Sequence, residues 1–467
     1  MPGTALVWYR RDLRVHDHPP LTTAQRECDA VVPVFVLDRR IVHGRFPSAT
    51  RAQFMLGALD ELRAALRERG GNLVLRDGRP ERELPRLAAE AGADRVYFAS
   101  DVSPYAMRRD ERVAEALARA GVEARRTPGN FVADVGRVRT KDGRPFTVFS
   151  PFWRAWEQAG RREVHGAPRA LSFPGGVRAG AIPKLADLGL EPEVAEPFAP
   201  GEAAARERAT RWLAGGLERY HERHDRLAGG TSELSPYLHF GCLSARELEQ
   251  RARAKGGERA AAFVRQLCWR DFYAHVLLHH PRNARHEFNG RYAELEWADD
   301  AERLAAWQEG RTGYPVVDAA MRELRHRGWM HNRGRLIAGS FLTKDLQLDW
   351  RHGEAHFMRW LTCGDEASNN GNWQWIASVG VDPKPYFQRM YNPMVQQRRH
   401  DPDGAYVRRW VPELRDVPLD RLAEPWTMSE DEQAAAGCVI GRDYPAPIVD
   451  HAVERRRAIE RYRAVAG

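Results

Sequence analysis

The spacing of apolar residues changes once along this chain, and that change limits the fold more than any single motif. Up to about residue 130, short apolar runs at 5–9, 31–37, 73–75 and 95–99 alternate with amphipathic stretches. In one such stretch Met55, Leu59, Leu62 and Leu66 share a helical face. Alternating strand and helix implies a parallel sheet with crossover helices, which binds ligands beyond the carboxyl ends of its strands. From 133 to 201 the periodicity fades and Pro and Gly become frequent, as in Pro174-Gly175-Gly176 and Pro200-Gly201. That composition reads as a long connection over a surface. The aromatic segment 149–156 within it should dock on one of the domains. After Glu202 the signals are helical, with starts at Ser244, where Glu247 would close a capping box, and at Asp299-Asp300. The expected architecture is an α/β N-terminal domain with a parallel, Rossmann-like sheet (1–132), a linker (133–201) and an all-α domain (202–467). At 467 residues more than one domain is required.

Composition excludes several classes. No apolar run approaches the ~18–20 residues of a membrane span, and the first residues read as a strand, without the regions of a signal peptide. The five cysteines form no C-x-x-C pair, so neither a disulfide framework nor a metal site is expected, and the chain reads as cytoplasmic. His352 and His356 have zinc-like spacing, but no third ligand accompanies them. Neither G-x-G-x-x-G nor a Walker loop occurs. The net charge of +8 favours polyanions such as nucleic acid.

Eight of the fourteen tryptophans fall between Trp269 and Trp375, among His, Asn, Arg and Asp. The densest piece is Asn369-Asn370-Gly371-Asn372-Trp373-Gln374-Trp375. Rings alternating with amides suit a flat heteroaromatic cofactor, stacked bases or electron transfer between rings. Gly229-Gly230-Thr231-Ser232, followed by Ser235-Pro236, offers hydroxyls and free amides at a helix start, which can hold phosphate or simply cap the helix. Trp329-Met330-His331-Asn332-Arg333-Gly334-Arg335 combines a ring, an amide and two guanidinium groups, a composition an anionic ligand explains better than packing does.

Six segments in order carry a resemblance: Trp8–Asp17, Thr231–Gly241, Cys268–Tyr273, Thr312–Ala320, Gly328–Arg333 and Asn369–Trp375. They are similar to the DNA photolyase/cryptochrome family, most of all to class I cyclobutane pyrimidine dimer photolyases, from about residue 4 to Trp426. The resemblance implies an antenna domain, a helical domain holding FAD, and UV-damaged DNA as partner of a monomer. It implies cofactor contacts from Tyr220, Thr231, Ser232, Glu233, Leu234, Ser235, Phe263, Arg270, Trp329, Arg335, Cys363, Gly364, Asp365 and Asn369, the last near flavin N5. Trp269 and Trp375 would flank a flipped-out lesion, with Gln266, Asn332, Arg333, Leu336 and Gln396 on the lesion or its backbone. Trp373, Trp350 and Trp297 would form an electron wire to photoexcited FAD, while Trp307 and Trp360 are packing candidates. The implied repair is light-driven: reduced FAD donates an electron to the dimer, the cyclobutane ring splits, and the electron returns.

Three positions depart from the family pattern. Gln266 stands where dimer photolyases usually have Glu, and Gln also occurs there in (6-4) photolyases. Cys363 replaces an Asp that normally neutralises the arginine matching Arg335. Either a nearby group substitutes, or Arg335 acts more directly on the flavin. Leu336 replaces Met. Asp101–Ala106 with Arg108-Arg109-Asp110 resembles members whose antenna is 8-hydroxy-5-deazaflavin more than those using methenyltetrahydrofolate. Competing readings are a cryptochrome-type photoreceptor, (6-4) repair, and an electron-transfer flavoprotein with no DNA role.

Overall fold

The computed structural model describes residues 3–382 and 385–466. Five parallel strands form one sheet: β1 (Thr4–Tyr9), β2 (Ala30–Leu37), β3 (Val74–Asp77), β4 (Ala93–Ala99) and β5 (Glu123–Thr127). Their order is β3-β2-β1-β4-β5, so the direction of winding reverses between β1 and β4. The unbroken apolar run of β1 follows from burial on both faces. Leu6 and Trp8 face a core shared with helices Pro80–Ala91 and Pro104–Arg119. Ala5, Val7 and Tyr9 face a core that continues into the helical domain. The fifth strand escaped the sequence reading for a physical reason. Glu-Ala-Arg-Arg-Thr lies at the sheet edge, where charged side chains are favoured and no apolar run is needed.

The β1/β4 crevice is filled by the protein itself. Arg10 donates to both oxygens of Asp110 at 2.6 and 2.7 Å, and Arg109 bonds the same carboxylate at 2.8 Å. Both guanidinium groups lie over the Trp8 ring, at 4.6 and 4.9 Å. Arg109 and Asp110 of the antenna-like motif are therefore buried structural groups.

The linker is stitched down along its length. Helix Phe149–Gln158 packs on helix Ala261–His279, and Trp156 donates its indole N–H to Asp271 at 2.9 Å. Beyond it the chain returns to the sheet, accepting from Val31 at Ser172 (2.8 Å) and from Leu75 at Ala179 (2.6 Å). After β5 no further strand occurs among the described residues. Asp300 caps its helix through Arg303 N (2.9 Å). At Ser244 only half of the expected capping box forms. The hydroxyl accepts from Glu247 N (3.1 Å), but the Glu247 carboxylate is drawn to Arg206 (2.9 Å).

The loop after β1, residues 10–18, fastens the two domains. Leu13 N donates to Phe240 O (3.1 Å), and Arg14 reaches Gly241 O (2.9 Å) and Asn130 (2.7 Å). Val15 N donates to the buried Glu202 carboxylate at 2.7 Å. Asp17, fully buried with φ +50°, accepts from Arg162 (2.5 and 2.6 Å), from His165 N (3.1 Å) and from the Ser244 hydroxyl. Gly241 takes φ +65°, and a side chain there would strike the backbone of Arg11 and Asp12.

Asp17→Ala strands the half-buried Arg162 guanidinium and two other donors, His165 N and the Ser244 hydroxyl, so it should lower the unfolding free energy by about 3 kcal/mol. Urea denaturation followed by circular dichroism checks this; a loss under about 1 kcal/mol would show that the loop is not the fastening.

Candidate functional site

Helix Glu366–Ala377 forms the floor of the site. Asp365 caps it, accepting from Ser368 N (2.9 Å), and its other oxygen takes Arg11 of the β1 loop at 2.7 Å. That ion pair holds the Asp365 carboxyl below the usual carboxylate range against the opposing effect of burial. The amides that looked alike in sequence have separate jobs. Gln374 accepts from Phe288 N (2.8 Å) and donates to Asn283 O (2.9 Å), His286 O (3.0 Å) and Asn370 (3.1 Å). Asn370 donates to the buried Glu354 carboxylate at 2.9 Å. These two amides are spent on structure. Asn369 donates to Glu354 O at 3.0 Å, and its carbonyl oxygen has no partner among the described residues.

Glu354 was missed by the sequence reading, although it lies inside the His352–His356 segment read for metal spacing. It takes Arg45 from the α/β domain at 3.3 Å, and burial raises its pKa.

The Thr231–Ser235 loop turns sharply, with φ +96° and +83° at Gly229 and Gly230 and +51° at Glu233. The Glu233 carboxylate is drawn away by Arg208 (2.9 Å) and Arg327 (3.0 Å), so only its backbone is free for a ligand. Ser235 accepts from the Trp329 indole at 3.2 Å, and Leu234 N reaches Ser232 at 3.4 Å. Tyr220 and Phe263 meet edge to face at 5.6 Å beside Trp212. Arg270 stands on the domain seam, donating to Asn130 O (2.7 Å) and Leu238 O (3.3 Å).

Arg335 donates to Met330 O (2.9 Å) and to the Cys363 sulfur (3.3 Å). Among the described residues no carboxylate lies within ion-pair distance of it. Gly364 lets Arg51 approach; a Cβ would lie 2.5 Å from its guanidinium. An Asn369 oxygen and an Arg335 guanidinium with no hydrogen-bond and no carboxylate partner, respectively, among the described residues, with a glycine-turned hydroxyl loop, fit a flavin carrying a diphosphate.

The three wire candidates run from inside to outside: Trp373 and Trp350 are buried and Trp297 is half-buried. The Trp373 ring lies against Gly353, one turn along the helix that begins at Trp350. Leu348, two residues before Trp350, bridges to Ala298, next to Trp297. Trp307 is fully buried, bonds Ala338 O (3.0 Å) and stands 6.1 Å from Trp373; Trp360 carries Arg325 at 5.5 Å.

Trp269 and Trp375 are half-buried, as are Gln396 and Leu336, while Gln266 and Asn332 are exposed. The indole N–H of Trp375 and the Gln396 carbonyl oxygen are buried atoms without partners. Arg333 is paired with Asp225 at 2.6 Å, which restrains it from reaching a phosphate freely.

A family model described as DNA photolyase matches residues 5–170, and one described as the FAD binding domain of DNA photolyase matches 263–464. The chain is 45% identical to a deoxyribodipyrimidine photo-lyase of Streptomyces griseus, over 99% of this chain and 100% of that one. Among solved structures it is similar to a bacterial class III photolyase from Agrobacterium tumefaciens, with TM-score 0.93, 34% identity, and coverage of 100% and 98% of the two chains. A Synechocystis cryptochrome follows with TM-score 0.90, 30% identity, and coverage of 98% and 99%.

His331 supplies a pH-sensitive contact in the site. Its Nδ1 accepts from Arg333 N (3.0 Å) and so caps helix Asn332–Ser340. Burial pushes its pKa down to about 4. The unfolded chain, with histidine near 6.5, binds the proton first, so this contribution is intact above about pH 6.5 and lost as pH falls toward 4. His331→Asn keeps a cap that does not titrate. Its melting temperature should therefore fall less steeply than that of the unsubstituted protein between pH 6.5 and 4.5; identical slopes would rule the cap out as the cause.

Proposed function

The chain belongs to the DNA photolyase/cryptochrome family, and from that premise we propose how its residues carry out light-driven repair of cyclobutane pyrimidine dimers. The observation that carries the reading is a single helix. Helix Glu366–Ala377 carries Asn369, whose carbonyl oxygen has no partner among the described residues, the buried Trp373 and the half-buried Trp375, and would turn them toward the cofactor, the electron wire and the lesion. When bound, reduced FAD supplies the excited electron that splits the cyclobutane ring. Tyr220, Phe263, Trp329, the Thr231–Ser235 loop, Cys363, Gly364, Asp365 and Arg335 would hold it, and Asn369 would offer its free oxygen at N5. Arg270 would help from the seam.

Trp269 and Trp375 would take the flipped lesion between them. Unstacking the damaged pair costs a few kcal/mol, and each base stacked on a ring returns about 1–3 kcal/mol. Gln266, Asn332, Arg333, Leu336 and Gln396 would complete the rim. Trp373, Trp350 and Trp297 would carry electrons inward, the outermost ring lying under Arg461 at 4.8 Å. The basic balance supplies phosphate affinity.

We place 8-hydroxy-5-deazaflavin as the second chromophore, with the protein acting as a monomer. Asp101, Met107, Asp110 and Glu111 of the antenna-like segment border a cavity of about 650 Å³, within the range of small-molecule pockets.

Reduced protein illuminated with a dimer-containing oligonucleotide should restore the paired pyrimidines, and a dark control should not. No light-dependent reversal would refute dimer repair; reversal of a (6-4) substrate alone would reassign the lesion. Trp297→Phe or Trp373→Phe should slow flavin photoreduction at least tenfold, leaving repair by pre-reduced enzyme within about twofold, and an unchanged photoreduction rate would require another electron route. Protein loaded with deazaflavin should gain a second absorption band, whereas uptake of methenyltetrahydrofolate alone would reverse the antenna assignment.

A further inference from the structure

Arg389 is a costly residue, a buried guanidinium with no ion-pair partner among the described residues. It is 2% exposed and leaves its Nε without a partner. A buried guanidinium in that state is unfavourable unless its geometry serves something. Its two amino groups reach backbone carbonyls, Nη1 to Trp375 O at 2.8 Å and Nη2 to Asp382 O at 2.6 Å. Its plane lies over the Trp375 ring at 4.0 Å, so one face of that ring is already covered.

The opposite wall is backed in the same manner. Phe149 is buried and lies on Trp269 at 3.6 Å with an interplanar angle of 4°. Phe149 N donates to the Asp382 carboxylate at 3.2 Å, and Asp382 N donates to Thr147 O at 2.9 Å. Asp382 adopts φ +56°, which Asp and Asn tolerate better than other side chains. One residue thus receives the support of both tryptophans: its carboxylate takes the Phe149 strut and its carbonyl takes the Arg389 strut. Two further bonds fix the Arg389 segment, since Ser340 donates to Arg389 O at 3.2 Å and accepts from Tyr391 N at 3.0 Å.

We propose that Arg389, Asp382 and Phe149 form one brace that sets the two pocket tryptophans at a shared spacing, making them positioning residues for lesion binding. The inference rests on the reading of Trp269 and Trp375 as lesion walls. Each strut covers one face of its ring and leaves the other for a base. Being buried, Arg389 acts through the ring and touches no phosphate. Fixing both rings beforehand lowers the ordering cost of binding a flipped dinucleotide.

The test compares affinity for a dimer-containing oligonucleotide with affinity for the undamaged duplex, across a salt series, with full-length protein. Arg389→Met and Phe149→Leu should each raise the dimer Kd at least tenfold and leave the undamaged-duplex Kd and the salt slope unchanged. In the double variant the second change should cost much less than it does alone, because one brace is already broken. Asp382→Asn keeps the acceptor and the backbone conformation and should stay near the starting affinity, while Asp382→Ala should match Phe149→Leu. A salt slope reduced by about one in Arg389→Met would make it a phosphate contact and overturn the proposal. Fully additive losses would overturn it as well. If Arg389→Met fails to fold, Phe149→Leu against Asp382→Ala and Asp382→Asn carries the same test. Trp269→Ala and Trp375→Ala stand apart: if neither weakens dimer binding, the lesion-wall reading itself falls, whatever Arg389 does.

Discussion

The fastening of the β1 loop to the helical domain is the constraint on which the site depends. Asp17 and Glu202 are buried carboxylates that terminate donors from the loop, the linker and the helical domain. A buried carboxylate is unfavourable unless saturated with hydrogen bonds, so each forces its donors into place together. Arg11, two residues past β1, is thereby aimed at Asp365, the cap of the helix that carries Asn369, Trp373 and Trp375. The position of the site's floor is thus set by a loop more than three hundred residues away in sequence.

The same logic applies at the β1/β4 crevice, where buried charges are paired within the protein. In parallel sheets this is where a dinucleotide would sit on glycine-rich backbone. Here Arg10, Arg109 and Asp110 fill it with paired charges over Trp8. The sheet acts as a platform against which the helical domain is registered, and the cradle lies among helices instead. Around that cradle the charges are unevenly compensated. Glu233 is drawn into two arginines and Arg333 into Asp225, whereas among the described residues Arg335 bonds a carbonyl and a thiol and no carboxylate. A cation left uncompensated beside the cradle favours an anionic ligand there.

Backbone class was readable because burial writes itself into period. The runs at 5–9 and 31–37 are strands buried on both faces, and the helical half shows its period throughout. The edge strand β5 was unreadable because its side chains meet solvent. The halved capping box at Ser244 was also unreadable: Ser-x-x-Glu is a local signal, and Arg206, forty-one residues away, outcompetes it. In the site, motif order brought together segments that the fold also places side by side, as Asp365 and Asn369 beside Glu354 and Arg11. It could not separate Asn369 from Asn370, since that depends on Glu354 presenting a carbonyl to one and a carboxylate to the other.

By itself the sequence determined the division into a sheet domain and a helical domain, the concentration of rings and amides in one region, and the resemblance that names their chemistry. Those properties are local or periodic, and a linear string carries them. Only the tertiary structure decided which polar groups are spent and which are free, because that depends on partners brought together across the chain. It left the Trp375 N–H and the Asn369 oxygen unspent, closed off the Glu233 carboxylate, and set Phe149 and Arg389 behind the two tryptophans. Hydrogen bonding and stacking are short-ranged in space, whatever the separation in sequence, and no pattern of neighbours along the chain can report them.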